Sequence, residues 1–130
     1  MPNPRKARPT ESELEILQVL WEHGPSTVRF VNEQLNKRRE VGYTTTLKLM
    51  QIMADKGLAS RDTTQRTHIY QAAVTEGETQ RDLLDQFVDS TFRGSAAKLV
   101  MQALGNHKAS KAELDEIKAL IEAMESNNNK

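Results

Sequence analysis

The sequence predicts a mainly α-helical chain: three short helices, a two-stranded hairpin, then three more helices. Three observations predict it. Apolar residues recur at helical spacing in six stretches, and most of these open at a Ser or Thr or close at a Gly. Three of the openings are capping boxes, Thr10/Glu13, Thr75/Glu78 and Ser110/Glu113. One stretch departs from the helical period, LASRDTTQRTHIYQA, and it follows the third helix directly.

Thr10 and Glu13 can satisfy each other's free backbone N–H, so a first helix starts at Thr10. Leu14, Leu17, Leu20 and Trp21 form its apolar stripe, and Gly24-Pro25 stops it. Ser26 or Thr27 caps a second helix with Val28, Val31 and Leu35 on one face, ending in Lys37-Arg38-Arg39-Glu40. A third begins near Tyr43-Thr44, buries Leu49, Met50 and Met53 with Thr46 beside them, and ends before Gly57. On a 3.6-residue wheel that burial turns Thr44, Lys48, Gln51 and Asp55 outward, with Thr45 at the margin. Leu58–Arg61 and Thr67–Ala72 read as strands around the polar turn Asp62–Arg66. This order is that of a winged helix-turn-helix.

Thr75 opens a fourth helix that carries Leu83, Leu84, Phe87, Val88 and Phe92 and runs to Gly94. Ser95 opens a fifth with Leu99, Val100 and Leu104, closed by Gly105. Ser110 opens a sixth with Leu114, Ile117, Leu120, Ile121 and Met124. These faces exceed what so small a unit can bury alone, so they are the expected surface of a homodimer. The expected divisions are a flexible basic arm over 1–9, a winged-helix domain over 10–74, a helical dimerisation domain over 75–125, and a disordered tail over 126–130. The chain shows no internal repeat.

With no cysteine among 130 residues, disulfides and thiolate metal sites are excluded, and a reducing cytoplasm is the expected compartment. No apolar run approaches the ~20 residues a bilayer span needs, and the basic start has no apolar segment behind it, so neither membrane insertion nor a secretory signal is expected. The net charge of zero hides an asymmetry: residues 1–71 hold 11 Lys/Arg against 8 Asp/Glu, and residues 72–130 hold 7 against 10. A net positive front suits an anionic partner.

Nothing points to an enzyme or a cofactor. His23, His68 and His107 are far apart and lack metal-ligand spacing, and there is no phosphate loop or nucleophile motif. Asp82, Asp85 and Asp89 read as a solvated helix face. The polar face of the third helix points elsewhere. Thr44, Thr45, Lys48 and Gln51 are slim, hydrogen-bonding side chains of the kind a helix needs to read base edges in the major groove. Arg61, Arg66 and His68 suit a wing that touches sugar-phosphate; Arg29, Lys37, Arg38 and Arg39 are backbone-contact candidates. Arg5, Lys6 and Arg8 form either a minor-groove arm or a terminus without function. Ile52 falls on or near the outward face, where it either meets a thymine methyl or tucks against the wing.

The chain resembles the penicillinase-repressor (BlaI/MecI-like) family of winged-helix regulators, on TESELEILQVLWEHGPSTV, YTTTLKLMQIMADKGL, the wing ending IYQA, and RGSAAKLVMQAL. The resemblance spans roughly residues 9–123. It implies a dimer whose front halves bind a palindromic double-stranded DNA operator, interlocked C-terminal helices, and repression of genes often concerned with cell-wall antibiotics. The absence of cysteine excludes the cysteine-based sensing of the family's copper-responsive branch. In its β-lactam-sensing branch a membrane metalloprotease system cuts the repressor between Asn and Phe; the corresponding positions here are Gln102-Ala103, a candidate cleavage site that departs from the familiar residue pair. Members often carry Thr and Arg where this chain has Lys48 and Ile52, so a different operator sequence is expected. The rival expectation is a winged helix used for protein–protein contact without specific DNA readout.

Overall fold

The computed structural model describes residues 8–128, so the arm residues Arg5 and Lys6 lie outside the described residues. The chain divides into two compact units, one ending at Asp85 and one beginning at Gln86.

The first unit contains α1 (Glu11–His23), α2 (Val28–Asn36), α3 (Tyr43–Lys56), β1 (Ala59–Asp62), β2 (Ile69–Ala72) and the start of α4 (Glu76–Thr91). The Thr10/Glu13 box forms in both directions and Thr27, not Ser26, caps α2. Gly57 ends α3 at φ +82°, a left-handed conformation that glycine adopts without a Cβ penalty, and the next N–H, of Leu58, closes back on the Met53 carbonyl at 2.9 Å. Leu58 therefore belongs to this cap. The strands begin one residue later than expected at Ala59 and two residues later at Ile69, because Asp62 pairs with Ile69.

The core holds Ile16, Leu17, Leu20, Val28, Val31, Leu35, Val41, Met50, Met53, Leu58, Ala59 and Tyr70. Leu14 and Trp21, expected inside, are half-buried, while Ile16 is fully buried. The reason is that α1 packs on α2, α3 and β2 together, so its inner face is wider than one stripe. Trp21 keeps a polar partner for its indole, donating to the Val74 carbonyl at 2.9 Å. Thr79 in the first turns of α4 is buried, which is why the unit extends past the expected boundary at 74 and ends within α4.

Ser26 does not cap α2 but pairs with β2: Ser26 and Tyr70 exchange both backbone hydrogen bonds at 2.8 Å. The hairpin is thereby fastened to the entrance of α2.

The second unit holds the end of α4, α5 (Ala96–Asn106) and α6 (Lys111–Asn128). At Thr75 the box forms in half, with the Glu78 N–H donating to the Thr75 hydroxyl, whereas Ser110 and Glu113 make both bonds at 3.1 Å. α4 ends at Thr91, short of Gly94, whose N–H returns to the Val88 carbonyl at 2.9 Å. α5 passes through Gly105 to Asn106, so that glycine does not close it. α6 continues through Ser126, Asn127 and Asn128, where the sequence predicts fraying. Phe87 and Phe92 meet edge to face at 5.6 Å. No described residue from 86 onward is fully buried.

Candidate nucleic-acid interface

The site is built on α3. Its inner face is set by Thr46, Met50 and Met53, all buried, which leaves Thr44, Thr45, Lys48, Gln51, Ile52 and Asp55 exposed, as the wheel predicts. Ile52 is 37 % exposed and has not tucked inside. At the start of α3, Gly42 supplies no side-chain cap, so the N–H groups of the first turn have no side-chain acceptor and point outward with the positive end of the helix dipole.

Two asparagines missed by the sequence reading hold α3 in place. The Asn32 side chain donates to the Val41 carbonyl at 3.0 Å and to the buried Thr46 hydroxyl at 2.9 Å. Asn36 donates to the same carbonyl at 2.9 Å and accepts from the Val41 N–H at 3.1 Å. Together they lock the α2–α3 turn and fix where α3 begins. Nothing local marks them, because their partners lie across a turn.

At the other end, Lys56 donates to Glu13 at 2.7 Å, and the same carboxylate accepts from Thr10 N–H at 2.9 Å. Burial alone would raise the Glu13 carboxyl, but Lys56 and Thr10 outweigh it and hold the group below its usual range. The capping box of α1 is thus also an anchor for the last turn of α3.

Between α3 and the hairpin lies an open cleft of about 380 Å³, with Arg29, Tyr43, Gln51, Arg66 and His68 among its walls and Tyr70 beneath. The structure therefore gathers candidates that the sequence scatters over three elements. Tyr43, half-exposed at the head of α3, joins them, although only its place at the helix start marked it in the sequence. Arg61 is not among the cleft residues. It pairs with Tyr70 across the strands, and the Tyr70 hydroxyl, with Asp55 further off, holds its guanidinium protonated above its ordinary range. Lys37 and Arg38 line a separate depression together with Glu15 and Glu22, and Arg39 is bound to Glu15 at 2.6 Å. Arg8 lines another small depression with Glu78 and Asp82. Of these four, among the described residues, only Arg39 makes an ion pair.

Of the residues expected at a dimer surface, Leu83, Val88, Phe92, Leu99 and Ile117 are half-buried. Leu84, Phe87, Val100, Leu104, Leu114, Leu120, Ile121 and Met124 are exposed, Leu120 by 61 %. Gln102 and Ala103 are exposed on α5. Among the described residues no group of three metal-ligating side chains comes together, and no helix is long and apolar enough to cross a membrane.

A family model described as penicillinase repressor matches residues 9–123. The penicillinase repressor of Bacillus licheniformis is 22 % identical over 113 residues, covering 87 % of this chain and 88 % of its own. The transcriptional regulator BlaI of Mycobacterium tuberculosis is 31 % identical over 102 residues, 75 % of this chain and 74 % of its own. Among solved structures, the DNA-binding domain of the repressor BlaI superposes with a TM-score of 0.51 at 20 % identity, over 57 % of this chain and 90 % of that one. A transcriptional regulator from Thermotoga maritima gives 0.51 at 19 %, over 93 % and 80 %. The Bacillus licheniformis BlaI monomer in complex with the blaP half-operator gives 0.50 at 20 %, over 57 % and 90 %. At these identities the superpositions bear on the fold, which is a winged helix followed in the chain by further helices.

Proposed function

The chain belongs to the penicillinase repressor family, and from that premise we propose that it is a cytoplasmic transcriptional repressor that binds a palindromic DNA operator as a homodimer. The observation that carries the reading is the outward face of α3, where Thr44, Thr45, Lys48 and Gln51 stand exposed beside a cleft lined by Arg29, Arg66 and His68. A slim polar helix face flanked by basic side chains is what groove reading with backbone contact requires. The half-operator complex of the Bacillus licheniformis relative supports the same partner.

Dimerisation through residues 76–124 is supported by the second unit, where no described residue is buried and large apolar side chains meet water. A second copy is the economical cover for such faces. Release then follows from separating the two copies, because a palindrome is bound tightly only when both recognition helices engage. Cleavage at Gln102-Ala103 by a membrane metalloprotease sensor system would do this. Both residues are exposed but helical, so α5 must unwind locally for a protease to take the bond.

Selection of sequences from a random duplex pool by the full chain tests the reading. An enriched inverted repeat with half-sites about one helical turn (~34–36 Å) apart is expected. Retention of no duplex at low salt would leave the winged helix as a protein-contact module.

A further inference from the structure

The cleft beside α3 draws its basic side chains from separate parts of the chain: Arg29 from the first turn of α2, Arg66 and His68 from the hairpin turn. Tyr43 and Gln51 of α3 complete the polar lining, and Val28, Leu47 and Tyr70 make an apolar wall. All three side chains are exposed, and among the described residues neither arginine takes part in an ion pair. The groups around His68 are Arg29 from α2, the Tyr43 phenol from α3, and Arg66, Asp62 and Tyr70 from the hairpin. Asp62 is the one carboxylate among them. It is occupied by the Thr64 hydroxyl at 2.7 Å and the Thr64 N–H at 2.9 Å, which with His68 hold it below its usual range.

We propose that this cleft seats one backbone phosphate of duplex DNA between Arg29, Arg66 and His68, and that the phosphate binds together with a proton taken up at His68. The inference rests on the DNA-binding reading and goes beyond it, because it makes affinity for DNA of any sequence depend on pH. An imidazole is the side chain that changes charge between about pH 5 and 8. A bound phosphodiester at hydrogen-bond distance favours its charged form, so by linkage affinity falls as pH rises. The cleft is open and roomy enough to admit a phosphate with its ester oxygens.

The test uses the full chain and a mixed-sequence duplex about three helical turns long. Wild type should bind roughly three- to tenfold more tightly at pH 6 than at pH 8 at one fixed low salt concentration. His68→Gln should remove most of that difference, and His68→Arg should keep the tight value across the range. Arg29→Gln and Arg66→Gln should each shallow the salt slope by about one unit. The His68 imidazole, followed by NMR, should titrate at higher pH with duplex than without. An unchanged pH profile in His68→Gln, or no displacement of the imidazole titration in the wild type, overturns the seat while leaving DNA binding standing. Absence of any duplex binding by wild type at pH 6 overturns the DNA reading, and the seat with it.

Discussion

The N–H of Ser26 donates to the carbonyl of Tyr70 at 2.8 Å, and the N–H of Tyr70 donates back to Ser26 at the same distance. This one pair fastens the hairpin beside the first turn of α2, and the Tyr70 ring beneath it is 1 % exposed. The position of Arg66 and His68 relative to α3 rests on it.

Tyr70→Ala should therefore cost about 3–5 kcal/mol of stability, the range for emptying a large buried aromatic site. Tyr70→Phe keeps the ring and the backbone pair and should cost well under ~1.5 kcal/mol, as for a swap that nearly conserves volume. Urea unfolding of both variants checks this, and equal losses would show that the hydroxyl, which both variants lose, and not the ring carries the anchor.

Glu13 joins Thr10 and Lys56, and Glu13→Gln should destabilise the first unit by about 1–2 kcal/mol at pH 7. The sign with pH follows from its depressed carboxyl. Its contribution is fully present above the ordinary value of 4.5 and is lost as pH falls below that through the lower folded value. Thermal melts of wild type and variant should thus converge in acid. A gap that persists at pH 2 would mean that packing, not ionisation, separates them.

Asn32 is a positioning residue. Asn32→Ala leaves the buried Thr46 hydroxyl without its donor and should cost about 1–2 kcal/mol in stability. It should also lower discrimination between the selected operator and a scrambled duplex. Loss of stability with discrimination intact would reduce its role to structure.

Lys48→Ala should lose roughly 1–3 kcal/mol and relax specificity at one position if the side chain reads a base. A uniform loss on every duplex, with the salt slope shallower by about one unit, would place Lys48 on phosphate instead.

Removing residues 103–130 should weaken operator binding by at least about tenfold, since linked half-sites typically gain 10²–10⁴ in avidity. Sedimentation should show the full chain as a dimer and the shortened chain as a monomer. Equal operator affinity of the two at one salt concentration would show that dimerisation does not govern repression.

By itself the sequence determined the helices, their caps and the outward face of α3. A capping box, a helical repeat and a left-handed glycine act over a few residues, so Thr10 with Glu13, Val28 with Val31 and Leu35, and Gly57 are readable without a fold. Helix ends were less legible: α5 runs past the expected stop at Gly105 to Asn106, and α6 runs on to Asn128. Tertiary structure alone decided which distant groups meet. Arg29 joins Arg66 and His68, while Lys37 and Arg38 lie in another depression beside Glu15 and Glu22. Glu13 reaches Lys56, Asn32 reaches Thr46, and Ser26 pairs with Tyr70. Each of these depends on how the buried faces of α1, α2, α3 and the hairpin pack together, and a polar side chain carries no local mark of the partner that such packing will bring within hydrogen-bond distance.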